Sequence, residues 1–91
     1  MKPSDYIRRG WCQNASAQDD QGRLCDATSS LAQQWCLVGS VRAAYPEDAV
    51  RRNKVFDKLF CQAKTYGLSS WNDNPDRTQQ EVLAVLEAIG E

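Results

Sequence analysis

Ninety-one residues and 10.2 kDa suffice for a single compact domain over residues 1–91, with an expected radius of gyration of roughly 12 Å. A composition of 42% apolar, 25% charged and 9% aromatic residues is ordinary for a folded chain. The 11 basic and 12 acidic residues leave a net charge of -1, which argues against a general binder of the nucleic-acid phosphate lattice. Histidine is absent; His-based acid–base catalysis, Ser–His and Cys–His nucleophile pairs, and most zinc and haem ligation are thereby excluded.

The opening Met1-Lys2-Pro3-Ser4-Asp5 lacks the apolar core of a secretory signal. The densest apolar run, Trp35-Cys36-Leu37-Val38, is too short to span a bilayer. A cytoplasmic protein without membrane association is expected, and the Asn14-Ala15-Ser16 sequon is then without consequence. Cys12, Cys25, Cys36 and Cys61 are separated by 12, 10 and 24 residues, so no C-x2-C pair exists to hold a metal. In a reducing cytosol these are expected as free, mostly buried thiols. No cofactor motif is visible.

In chain order, Ser4 or Asp5 can cap a short first helix that Gly10 ends after Arg9. Residues 11–26 suggest a small β-hairpin, turning at Asp19-Asp20-Gln21-Gly22 and returning through Arg23-Leu24-Cys25; an irregular loop is the alternative. Thr28, Ser29 and Ser30 offer N-caps for a second helix running to about Ala44, before Tyr45-Pro46. Wound as a helix, this segment has a bulky stripe (Leu31, Trp35, Val38, Val41) and a small one (Ala32, Cys36, Gly39, Ala43) that another backbone can approach closely. Only Gln33, Gln34 and Ser40 in its middle prefer water.

Pro46 suits the first turn of a third helix, with Glu47 and Asp48 near its positive end. Its apolar face reads Val55, Phe56, Leu59, Phe60, Ala63 and Tyr66, and Gly67 is its expected stop. A polar connector covers Leu68 to Arg77. Thr78 and Glu81 then form a T-x-x-E capping box for a last helix burying Val82, Val85, Leu86 and Ile89, with Leu83 flanking. The expected fold is mainly α within the α+β class: about four helices, with one small hairpin between the first and second.

Three motifs stand in order: Gly10-Trp11-Cys12-Gln13, Trp35-Cys36-Leu37-Val38-Gly39, and Trp71-Asn72-Asp73-x-Pro75-x-Arg77-Thr78 followed by Glu81-Val82-Leu83. In them the chain resembles, over nearly its whole length, a family of small uncharacterised bacterial and phage proteins carrying W-C-Q, W-C-x-x-G and W-N-D-x-P-x-R-T-x-x-E-V. Asn14 and Asp76 stand where that pattern has glycine. The resemblance implies phage or mobile-element association for part of the family and carries no activity with it.

Candidate functional groups are few. A reactive thiol needs a depressed pKa, and Cys36, placed in mid-helix on an apolar face, reads as an inert core thiol. Cys12, close to Arg8 and Arg9, is less clear and also favours packing. Asn72, Asp73, Asp76 and Arg77 form a dense polar group that either orients a ligand or anchors its own loop through an Asx-turn and the Thr78 cap. Asp73, Asp76 and Glu81 lack the regularity of a calcium loop. Arg51, Lys54 and Lys58 form a basic stripe on the third helix, ordinarily a solvated face. Residues 47–66 carry net +2 and residues 73–91 net -4, suggesting an acidic edge along Asp76, Glu87 and Glu91 that suits a basic partner.

The expectation is a non-enzymatic binding module that docks on a larger protein or nucleoprotein complex. Its specific form would be a phage or mobile-element inhibitor of a host defence complex, anti-CRISPR-like, working in the bacterial cytoplasm. Trp11, Gln13, Trp71, Asn72, Asp73, Asp76 and Arg77 are its candidate contact residues. Two alternatives stay open: a small-ligand or thiol-dependent enzyme site around Cys12 and the Trp71–Arg77 segment, and a nucleic-acid binder using Arg51, Arg52, Lys54 and Lys58. A homodimer through the basic or the last helix is also open.

Overall fold

Pro3 opens α1 (Pro3–Arg9), since its fixed φ and missing N–H suit the first helical position. The Asp5 carboxylate accepts from the Lys2 backbone N–H at 2.8 Å. The cap is therefore Lys2, not Ser4 or Asp5, and Gly10 ends the helix as expected. The computed structural model describes all 91 residues. After α1 come β1 (Ala17–Gln18), β2 (Leu24–Cys25), β3 (Gln34–Trp35), α2 (Leu37–Ala44), α3 (Ala49–Ala63), α4 (Leu68–Asp73) and α5 (Gln79–Ala88). The fold is the expected helical α+β arrangement, with one strand and one short helix more than anticipated.

The hairpin forms where the Asp19 turn directs it. Asp19 Oδ1 accepts from the Gln21 and Arg23 backbone N–H groups, both at 2.9 Å, while Gly22 takes a φ of +76°. Those amides, Arg23's foremost, hold the Asp19 carboxyl below its ordinary pKa. The β1 strand pairs antiparallel with β2 and, on its other edge, with β3, giving the order β2-β1-β3.

The third strand corrects the second-helix expectation. Residues 28–36 are not helical, and α2 begins only at Leu37. Asp26 binds the Thr28 N–H and hydroxyl at 2.9 and 2.8 Å, and Ser29 Oγ takes the Leu31 N–H at 3.1 Å. Such side-chain bonds offer this backbone an alternative to a helix. Trp35 lies opposite Ala17 on β3 and donates its indole N–H to Ala27 O at 3.0 Å. Tyr6 packs edge-on to the Trp35 ring with centroids 4.9 Å apart. Leu31 is consequently exposed, and Ser40 is buried with its hydroxyl donating to Leu37 O at 2.6 Å.

The α3 helix is capped by Asp48, whose carboxylate takes the Arg51 N–H at 2.9 Å, so Pro46 and Glu47 precede the helix. It ends at Lys64, which adopts left-handed φ of 57°, before Gly67 is reached. Val55 and Leu59 are buried as expected, but Tyr66, past the stop, leaves the apolar face and is 88% exposed. The polar connector contains α4. The α5 capping box forms as read: Glu81 N–H to Thr78 Oγ1 at 3.2 Å, and Thr78 N–H to Glu81 Oε1 at 3.0 Å.

Packing of α1 on α2 and α5, and of α3 on α2, α4 and α5, encloses Ile7, Leu37, Val41, Val55, Leu59, Val82 and Leu86. The Cα radius of gyration is 11.8 Å. Gly39 marks the tightest approach: Ser16 O accepts from Cys36 N–H at 3.1 Å, and a Cβ on Gly39 would collide with that carbonyl. Gly39→Ala is expected to cost about 1–3 kcal/mol as an overpacked contact between backbones, read from the urea midpoint. An unchanged midpoint would contradict this approach.

Candidate functional site

The residues of the first and third motifs meet around Asn72, which is completely buried on α4. Its Oδ1 accepts from Trp11 Nε1 at 2.8 Å and from the Leu37 backbone N–H at 3.1 Å. Its Nδ2 donates to Cys12 O at 3.2 Å and to Asp73 Oδ1 at 2.9 Å. All four positions of a carboxamide are thus filled. Around it, Gln13 Nε2 donates to Asn72 O at 3.0 Å and Asn74 O at 2.8 Å, and Asp73 Oδ1 also accepts from Asn14 N–H at 2.8 Å.

Trp71 and Arg77 complete the cluster from the outside. The Arg77 guanidinium lies 3.8 Å from the Trp71 ring centroid, in cation–π geometry. Its Nε donates to Trp71 O at 2.9 Å and its Nη1 to Glu81 at 3.2 Å. Glu81, held by the Thr78 N–H, has its pKa lowered, with Arg77 adding to the effect. Of the seven candidate contact residues, six therefore share one hydrogen-bonded and stacked cluster. Asp76 does not join it: it is exposed, and its N–H goes to Asn74 Oδ1 at 2.9 Å.

This arrangement locks segments together and leaves few groups to offer a ligand. The Asn72 amide and the Gln13 donors are engaged within the chain, and five surface depressions of the molecule are lined by other residues. The thiols are likewise quiet. Burial pushes the Cys12 thiol up to about 12, with Cys36 and Asp73 nearby adding to the rise. Cys36 is the α2 N-cap, not a mid-helix residue, and its Sγ accepts from Gly39 N–H at 3.2 Å. Burial still outweighs that bond and raises its pKa. All four cysteines are free, with Cys61 exposed.

The charged features also rearrange. Arg51 does not stand free in a basic stripe: its guanidinium pairs with the buried Glu91 carboxylate, which also accepts from Tyr45 OH at 2.7 Å. Lys54 and Lys58 remain exposed. Glu91 consequently drops out of the acidic edge. Glu87 meets Arg8 at 3.5 Å, an exposed pair worth at most about 1 kcal/mol.

A feature outside the motifs emerges at the bend between α3 and α4. Tyr66 rests on Phe60 with ring centroids 5.4 Å apart. A depression of about 280 Å³ beside them is lined by Val38, Phe56, Leu68 and Arg42, among others. The spacing of Arg52, Phe56, Phe60 and Lys64 at every fourth position was the available sequence signal. The expectation of a Gly67 stop concealed it by placing Tyr66 in the core.

A family model described as a family of unknown function, DUF6197, matches residues 4–91. The chain belongs to that family. No curated protein matches it, and neither does any solved structure. The match spans all three tryptophans and the cluster around Asn72.

The thiol environments predict an ordered alkylation of the native protein near neutral pH. Cys61 should react with iodoacetamide first, while Cys12 and Cys36 react only on unfolding. Rapid native labelling of Cys12, located by peptide mass, would overturn the assignment of that thiol to packing.

Proposed function

We propose that the chain is a small non-enzymatic protein-binding module that docks on a larger protein or nucleoprotein assembly through the aromatic bend between α3 and α4. The exposure of Tyr66 carries the reading: a tyrosine 88% open to solvent, in tilted contact with a half-buried Phe60 beside a partly apolar depression. Tyrosine supplies a large, rigid contact area at low entropic cost and is enriched among residues that dominate binding energy. The engagement of the Asn72 cluster within the fold and the raised thiol pKa values favour docking over chemistry.

This moves the contact surface away from Trp11, Gln13, Trp71, Asn72, Asp73 and Arg77, which serve the fold. The specific form we propose is a phage or mobile-element inhibitor that occupies a host defence complex in the bacterial cytoplasm. Its support is the resemblance of the W-C-Q, W-C-x-x-G and W-N-D-x-P-x-R-T motifs to bacterial and phage proteins.

A photo-crosslinking residue placed at Tyr66, in bacterial cells expressing the full chain, tests the module. A discrete adduct with a protein larger than the chain is expected from that position. The same substitution at Leu24, exposed on β2, should not give it. No adduct at position 66, or identical adducts from both positions, would contradict the reading.

A further inference from the structure

Two Trp-Cys dipeptides, Trp11-Cys12 and Trp35-Cys36, lie side by side in the fold. Trp11 and Trp35 form an isolated parallel bridge, closed by Trp35 N–H to Gly10 O at 3.0 Å and Cys12 N–H to Trp35 O at 3.2 Å. Parallel strands keep a common register, so Cys12 and Cys36 are the next pair along, on the face opposite the two indoles. The following rung would join Leu37 N–H to Cys12 O. The Asn72 carboxamide replaces it, accepting that N–H at 3.1 Å and donating to that carbonyl at 3.2 Å. The two cysteines are thus held between a backbone bridge and a side-chain one. Cys25 belongs to the tryptophan row, since it pairs with Ala17 and Ala17 with Trp35.

Strands in a ladder lie about 4.8 Å apart, and a disulfide spans Cα separations of about 4.4–6.8 Å. The register therefore suits a bond between two residues 24 positions apart in the chain. Both thiols are buried and free. Each sulfur now has one backbone partner: Cys12 Sγ donates to Ala15 O at 3.7 Å, and Cys36 Sγ accepts from Gly39 N–H at 3.2 Å. Thiols are weak donors and acceptors, so rotation about each Cα–Cβ bond gives up little.

We infer that Cys12 and Cys36 are an oxidisable pair, which a peroxide converts to an intrachain disulfide fastening the segment after α1 to the start of α2. The Gly39 N–H favours ionisation of Cys36 over that of Cys12. The Cys36 thiolate breaks the peroxide O–O bond and keeps one oxygen as a sulfenic acid; the other leaves as hydroxide and takes up the proton that the thiol lost. The Cys12 sulfur then displaces the sulfenic oxygen, which leaves as water with the Cys12 proton. Two electrons pass from the thiols to the peroxide, and two waters form. Hydrogen peroxide is little larger than water, so burial that excludes iodoacetamide still admits it. The device is separate from the docking surface proposed above.

Dilute hydrogen peroxide added to the folded full chain carrying Cys25→Ala and Cys61→Ala tests the pair. The intact mass should fall by about 2 Da, the mass of the two hydrogens lost in forming one disulfide. Trypsin, cutting at Arg23 between the cysteines, should release two peptides joined through Cys12 and Cys36. The thermal midpoint should rise by about 5 °C or more and return with a dithiol reductant. The oxidation rate should climb about tenfold per pH unit above neutrality, because burial leaves little thiolate there. Circular dichroism checks that the variant folds, and the unsubstituted chain cleaved with chymotrypsin, which separates Cys25 from Cys36 at Leu31, should give the same link. A sulfinic acid at either cysteine without a link, or a link formed only in urea, would overturn the inference. An unchanged or lowered midpoint in the linked protein would overturn it as well.

Discussion

The structure depends on satisfying one buried carboxamide. Asn72 is sealed from water, and its side chain joins three segments distant in sequence: the stretch after α1 through Trp11 and Cys12, the start of α2 through Leu37, and α4 itself. A hydrogen bond between neutral groups contributes about 1 kcal/mol net, but an unsatisfied buried polar group costs about 1–3 kcal/mol. The arrangement is therefore close to all-or-none. With every partner present the cluster holds the loop, helix and bend in one register; displacing any segment strands several groups away from water.

That constraint explains why the side chains of the most distinctive motifs are engaged within the fold. Trp11, Gln13, Asn72 and Asp73 are the polar and aromatic side chains a reader first assigns to a ligand, yet their bonds run to one another and to nearby backbone. The first motif ends in a loop without regular structure, and α4 has only six residues. Both elements are short, so tertiary bonds must substitute for the local ones that a long helix would supply. On α3, by contrast, Phe56 and Phe60 are only partly buried where they pack against the core.

The parts of the fold legible in the sequence are those fixed by neighbours. Thr78 and Glu81 find each other three residues apart, and Asp19 reaches amides two and four residues on. The parts that misled depend on distant partners. Trp35 fits a helical stripe by spacing, but pairing with Ala17 and the edge-on contact with Tyr6 draw it into a strand. Lys64 terminates α3 in a left-handed conformation more usual for glycine, so the stop falls early and Tyr66 swings outward. The candidate site was legible as a gathering of residues, since six of the seven do assemble. Its internal bonding was not, because Trp11 and Asn72 bond across 61 positions, and no local rule foresees a partner that far along the chain.

Native-state hydrogen exchange of the Trp11 indole N–H and the Leu37 amide tests the central constraint most directly. Both protons end on the same Asn72 oxygen, so the two should exchange with a common opening free energy close to that of global unfolding. Exchange of either one through a low-energy local opening, while the buried amides of α5 stay protected, would show that Asn72 does not hold these segments together.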